Sequence, residues 1–325
     1  MDAGNWLPGE GGGYQQRGLR SFAGKTALTR GPFSPFKTFM ASPGEIWTGS
    51  DIKIEANRKS MLRRKTVLIL VLIILGTMSS AAQNLDLAGI AHVAFRVANY
   101  EDSRHFYETL GFEQAFEVAE PGRPRQSFIK INDRQFLELY EKSGDSHPGF
   151  MHICFETADI ASLRRAYMNL GLNPTEVRKF RAGNLLFVIH DPAEQVVEYT
   201  QYLPGSLHFL DRGKHLGSNR ISQHLVASST PATNLAVVHE YYSSKLGFQP
   251  VDTGGTLLRL PGISGQRIEL LSEAGSPPRI AFAVDNLKRA QKSLRQRRIN
   301  VEKHGTGIQV VDPDGTVVMF TAPEN

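Results

Sequence analysis

Four side chains able to hold a metal ion recur at a fixed interval: His92, Glu138, His152 and Glu198. The His-to-Glu step is 138 − 92 = 46 the first time and 198 − 152 = 46 the second, without slippage. Each residue lies in an apolar alternating run, IAHVAFRV, QFLELYE, FMHICFET or QVVEYTQ. Period-two alternation bounded by polar turns predicts half-buried strands. An inward-facing residue at each end of a repeated unit brings two His and two Glu into one concave cavity. That set of N and O donors suits a divalent ion with positions left open for substrate. Taken singly, each His reads as a satisfied core residue and each Glu as an edge charge; the common register of all four favours the metal. Cys154, the single cysteine, shares the face of His152 by alternation. It is placed to be a soft neighbour of the ion and reads more simply as a small buried hydrophobe. A single cysteine excludes an intramolecular disulfide framework.

The elements that must position these residues form a unit that occurs four times. The first copy runs IAHVAFRV, then NYEDSRHFYETLGFEQ at helical spacing with Gly111 as its stop, then SFIKI and FLELY. The second runs MHICFET, the helix DIASLRRAYMNLGL with Gly171 as its stop, NLLFVIHDP and QVVEYTQ. The third begins ISQHLVASS and continues through LAVVHEYYSSKLGFQ, TLLRLP and RIELLS. The fourth is RIAFAV, DNLKRAQKSLRQRRINV, GIQVVDPDG and TVVMFTA. Residues 203–219, punctuated by Gly and Pro, read as a loop-like linker between copies two and three. One helix on a small sheet cannot cover both its faces, so the units must pair. Four units therefore predict two α+β domains, over 88–202 and 220–323, each a curled, partly open barrel with helices outside and a cavity within.

HxxxRV followed by SRHFYETLGF in the first copy, with HICFETADI and DPAEQVVEY in the second, resembles the vicinal oxygen chelate (VOC) superfamily. That group includes glyoxalase I, methylmalonyl-CoA epimerase, the extradiol dioxygenases and the bleomycin and fosfomycin resistance proteins. The resemblance is close over 88–202 and looser over 220–323. It implies four βαβββ modules paired into two VOC-type (glyoxalase/dioxygenase fold) domains, with one divalent ion on His92, Glu138, His152 and Glu198. Zn, Ni, Fe and Mn are not distinguished. A two-His, two-Glu set is similar to glyoxalase I and the related epimerases, and implies a lyase or isomerase acting on a small oxygen-rich molecule. There the ion stabilises an enediolate while Glu198 or Glu138 moves a proton beside a carbonyl. Arg96, four residues after His92, matches a substrate-binding Arg of glyoxalase I; it reads equally well as an ordinary charge at a strand end. Extradiol dioxygenases use two His and one Glu, usually in the C-terminal modules, with a closing pattern that GNLLFVIHDPAEQVVE departs from at Phe187, Val188, Ala193 and Glu194. Ring cleavage of a catechol-like aromatic is therefore the runner-up reading, and a sequestering, resistance-type binding protein is the third.

The second domain offers His224 and Glu269 (269 − 224 = 45), but Arg279 stands where the second copy has His152, and Met319 where it has Glu198. A thioether suits such a site poorly, so no metal is expected there. An inward-facing Arg279 needs an acid, and Glu269 is the expected partner. The domain is then a metal-free scaffold or a pocket for an anionic group. The alternative is an Arg279 that starts a strand after Pro277-Pro278 and points to solvent.

The chain has 325 residues, 41% hydrophobic and 21% charged, with net charge +5. These figures describe a globular protein with ample core. The basic excess is spread between ANRKSMLRRK and the helical LKRAQKSLRQRR, without interleaved aromatics, so no nucleic-acid partner is expected. The expected partner is a small-molecule substrate, with a monomer of fused modules and a homodimer both open. GGT and GISG lack the context of a phosphate loop. The apolar run TVLILVLIILG follows MLRRK and precedes TMSSAAQ, which predicts a signal peptide over 61–82 and a periplasmic or secreted protein. An uncleaved N-terminal anchor is the alternative. Residues 1–60, without sustained period, read as disordered or as an over-extended reading frame upstream of a start at Met61.

Overall fold

The structure is a computed structural model and describes residues 85–323, which lie in one compact unit, Met78–Asn325. The expected signal segment 61–82 and the upstream segment 1–60 fall outside the described residues. Among the described residues no helix is long and apolar enough to cross a membrane.

Each of the four units starts its helix with an Asx side chain. Asn99 caps α1 (Tyr100–Thr109) by accepting from the Glu101 and Asp102 amides, and Asp159 caps α2 (Ile160–Asn169) by accepting from Ser162. After the short α3 (Leu207–Leu210), Asn234 caps α4 (Leu235–Glu240) and Asn286 caps α5 (Leu287–Gln296). Such caps satisfy amides that a helix start leaves open, each contributing about 1 kcal/mol. α4 runs on into a π turn, Tyr241–Lys245. Gly111, Gly171 and Gly247 end three of the four helical segments at positive φ, and Arg298 takes that place after α5 with φ 62°.

The strands form two eight-stranded sheets of one topology. The first contains β1 (Gly89–Val97), β2 (Glu113–Val118), β3 (Gln126–Asn132), β4 (Gln135–Glu141), β5 (Gly149–Glu156), β6 (Arg178–Lys179), β7 (Leu185–His190) and β8 (Val196–Gln201). Its order is β2-β3-β4-β1-β5-β8-β7-β6. The second contains β9 (His224–Pro231), β10 (Gln249–Pro250), β11 (Leu257–Arg259), β12 (Arg267–Leu271), β13 (Arg279–Ala283), β14 (Glu302–His304), β15 (Gly307–Val311) and β16 (Val317–Thr321). Its order is β10-β11-β12-β9-β13-β16-β15-β14. Within each sheet the two βαβββ modules meet through antiparallel pairing of their first strands, β1 with β5 and β9 with β13.

The two domains hold each other by reciprocal contacts. Phe112, next to Gly111, packs against Phe282 of the second domain at 5.2 Å between ring centroids, and Phe248, next to Gly247, packs against Phe155 of the first at 5.6 Å. Tyr107 donates to Asp312 Oδ2 at 2.9 Å and Tyr242 donates to Asp191 Oδ2 at 3.2 Å. The helical segment of each domain thus bonds the Asp-Pro turn of the other. All eight residues are buried. Burial of one such Phe contributes roughly 1.5–3 kcal/mol.

Residues 203–219 are more than a connecting span. α3 lies against the concave face of the first sheet, where Lys130 Nζ, fully buried, donates to Asp211 Oδ2 at 2.7 Å and to the Asp211 carbonyl at 2.6 Å. Asp133 Oδ1 accepts from Lys130 Nζ at 2.8 Å and from the Gly213 amide at 2.9 Å. The segment also runs so close to Gly111 that a Cβ there would collide with the Asn219 carbonyl.

Candidate metal centre

Strand pairing puts the four repeated residues on one face. Directly paired residues share a face of a sheet. Ala94 pairs with Glu138 on β4 and with His152 on β5, while His92 pairs with Cys154, which pairs in turn with Glu198 on β8. Their side chains converge: His92 Nε2 lies 3.2 Å from His152 Nε2 and 3.4 Å from Glu198 Oε2. His152 Nε2 lies 3.4 Å from Glu198 Oε2 and 3.8 Å from Glu138 Oε2. His92 Nδ1 faces Glu138 Oε1 at 3.4 Å and is buried without a hydrogen bond.

Burial works against charge on every member. It pulls His92 below the usual histidine range against the opposing pull of Glu138, and takes His152 down to about 4 against that of Glu198. It pushes the Glu138 and Glu198 carboxyls up, with the neighbouring imidazoles opposing it. Among the described residues no Lys or Arg pairs with either carboxylate; their ion-pair partners are the two His. Two buried acids without a guanidinium or ammonium call for a cation from elsewhere. Donors about 2.1 Å from one centre lie roughly 3.0–3.4 Å apart at octahedral or tetrahedral angles, close to the spacings here. The residues therefore fit a divalent metal ion. Cys154 is also within reach, and burial raises its thiol well above the ordinary value.

The two carboxylates are held differently. Glu138 Oε2 accepts from Gln126 Nε2 at 2.8 Å and from the Tyr140 hydroxyl at 3.2 Å, and Gln126 Oε1 accepts from Arg181 Nη2 at 3.0 Å. Glu198 makes no such bonds and is the more exposed side chain, 15% against 5%. Arg96, one step further along the inward face of β1, donates to the His147 carbonyl at 3.4 Å. Arg181 Nη1 is buried without a partner.

His208 of α3 lies on the same concave face. Its ring stands edge-on to Phe116, Phe128 and Phe136 at 4.9, 5.1 and 4.7 Å and stacks on Tyr202 at 5.0 Å. Phe128 pairs with Glu138 and Phe136 with His92, which places the ring beside the cluster. Asn184 Oδ1 accepts from the Leu203 amide, so its Nδ2 faces His208 Nδ1 at 2.8 Å as donor. Nδ1 then accepts and Nε2 carries the proton. Sequence reasoning missed His208, Gln126, Tyr140 and Arg181. The first stands in a Gly- and Pro-punctuated segment with no period, and the others are ordinary strand or loop residues whose role depends on cross-strand reach.

In the second domain the register corrects one assignment. Glu269 pairs with Ser229 as Glu138 does with Ala94, so the position matching His92 is Ala227, two before Ser229, and not His224. His224 lies at the exposed start of β9. The true interval is 269 − 227 = 42, because the strands between are shorter. Arg279 and Met319 occupy the places of His152 and Glu198, and Arg279 Nη1 donates to Glu269 Oε1 at 2.5 Å.

Residues 89–199 match the family model described as Glyoxalase/Bleomycin resistance protein/Dioxygenase superfamily. The first domain belongs to that superfamily, and the second repeats its fold. Among solved structures, the chain is similar to the Mn(II)-bound glyoxalase from Novosphingobium aromaticivorans, with a TM-score of 0.55 and 17% identity over 73% of this chain and 82% of that one. It is similar also to the 2,3-dioxygenase LapB from a Pseudomonas species, at 0.55 and 17% over 74% and 93%. A variant of homoprotocatechuate 2,3-dioxygenase from B. fuscum aligns at 0.56 and 18% over 74% and 72%. At these identities the likeness is one of fold. No curated protein sequence matches the chain.

Proposed function

We propose that the chain is a metal-dependent lyase or isomerase of the glyoxalase or epimerase type, acting on a small oxygen-rich substrate at the centre formed by His92, Glu138, His152 and Glu198. A divalent ion bound there supplies Lewis-acid stabilisation of negative charge on substrate oxygens. His92 and His152, fixed on the two central strands, serve as ligands throughout. Glu138, held by Gln126 and Tyr140, is the anchored carboxylate. Glu198, without such bonds and more open to the cavity, is the base that moves a proton on the carbon beside a carbonyl. Arg96 and the unpartnered Nη1 of Arg181 offer donors to an oxygen-rich or anionic substrate. The unequal tethering of the two carboxylates is the observation that carries this assignment. On the sequence of residues 61–82 alone, the protein is proposed to be exported.

The substitution Glu198→Gln keeps an oxygen donor and removes proton acceptance. Turnover is expected to fall by about 10²-fold or more with the metal largely retained; an unchanged rate would take the base away from Glu198. Ring cleavage is the second reading, since the two-domain span is shared with the dioxygenases as it is with the glyoxalase. Oxygen uptake on addition of catechol to the iron-loaded protein would decide for ring cleavage instead.

A further inference from the structure

The concave face of the second sheet holds a cavity of about 160 Å³ at the place where the first sheet gathers its four ligands. Ala227, Arg279 and Met319 stand in the positions of His92, His152 and Glu198, and all three line it. Ala227, standing where the first sheet has the His92 imidazole, leaves space at that position.

The lining has two chemical sides. Leu257, Ala227 and Met319 supply apolar surface, and Arg267, Arg279 and Glu269 supply the charged side, where Arg279 meets the Glu269 carboxylate. Arg259, paired across strands with Arg267, adds a further cation at the edge. The Arg279–Glu269 contact uses one guanidinium nitrogen and one carboxylate oxygen. A guanidinium offers five N–H donors in a planar fork matched to carboxylates. Most of the donor capacity of Arg279 is thus left over, in a side chain that is 32% exposed and so open to a solute.

We propose that this cavity binds a small organic monocarboxylate, its carboxylate on the Arg279 guanidinium and its apolar body against Leu257 and Met319. The guanidinium holds the positive charge that the first domain assigns to a metal ion, on the same backbone. Glu269 fixes Arg279 in place and, as a like charge, disfavours dianions. The ligand is an effector, or a second molecule of a carboxylate-bearing reactant, and is not held by the metal centre.

Calorimetric titration of the full chain with benzoate, and with benzamide as its uncharged counterpart, tests this. Benzoate is expected to bind with a Kd of about 1 mM or tighter, and benzamide at least about tenfold more weakly. In Arg279→Gln the benzoate affinity is expected to fall at least about tenfold while the metal content of the first domain stays unchanged. Equal affinities for benzoate and benzamide in the unaltered chain, or no benzoate binding up to about 10 mM, would overturn the proposal without any variant being made. So would an Arg279→Gln chain that binds benzoate as tightly as the unaltered one.

Discussion

The two sheets share one strand order and one pairing scheme, yet their concave faces carry opposite chemistry. In the first, His92, Glu138, His152 and Glu198 leave two buried carboxylates in want of a cation. In the second, Ala227, Glu269, Arg279 and Met319 bring a cation of their own, the guanidinium that Glu269 meets. Three residues differ at these matched positions, and with them a face holding two uncompensated carboxylates becomes one that carries its own cation. The fold thus supplies the positions, and the charge of a few inward side chains decides what enters. Strand geometry holds whether or not chemistry is present, which is why both sheets survive intact.

The largest effect that could break this contrast is on metal content. The purified chain is expected to hold about one divalent ion, lost together with activity in His152→Ala; elemental analysis showing the ion retained would refute the first-sheet site. The reciprocal experiment builds a second site. Ala227→His, Arg279→His and Met319→Glu together restore the four-donor set with Glu269, and the metal content is expected to rise to about two ions per chain. A value that stays at one would show that the backbone positions are not equivalent after all.

A smaller effect separates the sheets by pH. Burial, with His92 and Lys130 adding to it, takes His208 from the usual 6.5 down to about 3. The unfolded chain therefore takes up a proton below about 6.5 that the folded chain refuses until about 3. The stabilising term is fully present above 6.5 and is lost as the pH falls toward 3. Between pH 7 and pH 4.5 it amounts to about 2–3 kcal/mol. Urea unfolding is expected to show that loss in the unaltered chain and a shallower one in His208→Phe; equal slopes would mean that His208 is not buried neutral. The smallest effect lies in the fourth module. Arg298 adopts the left-handed conformation that Gly111, Gly171 and Gly247 adopt elsewhere. An Arg298→Gly change is expected to raise stability by about 0.5–1 kcal/mol, and a lowered thermal midpoint would count against it.

Much of this was legible in the sequence where a period or an interval carried it. The two intervals of 46 locate the four clustered side chains because each Glu pairs two residues beyond the His of its own module. The same logic failed in the second domain, where shorter intervening strands change the interval, and a nearby His224 mimicked the expected one. Arg279 could be matched by its place at the start of RIAFAV, and its pairing with Glu269 follows from the need of a half-buried cation for an acid. What could not be read were contacts made across the sheet or by irregular chain. Gln126 acts on Glu138 only because β3 and β4 are adjacent, and His208 reaches the concave face only because Lys130 and Asp133 hold the segment around Asp211 and Gly213.

The crossed pairs Tyr107–Asp312 and Tyr242–Asp191 have a bearing on motion. A two-domain enzyme can admit its substrate by swinging the domains apart about a hinge. Here each domain grips the other at two separate places, and opening around one grip pulls directly on the other. Both carboxylates are buried at the contact between the domains. Separating the domains would therefore break both hydrogen bonds together.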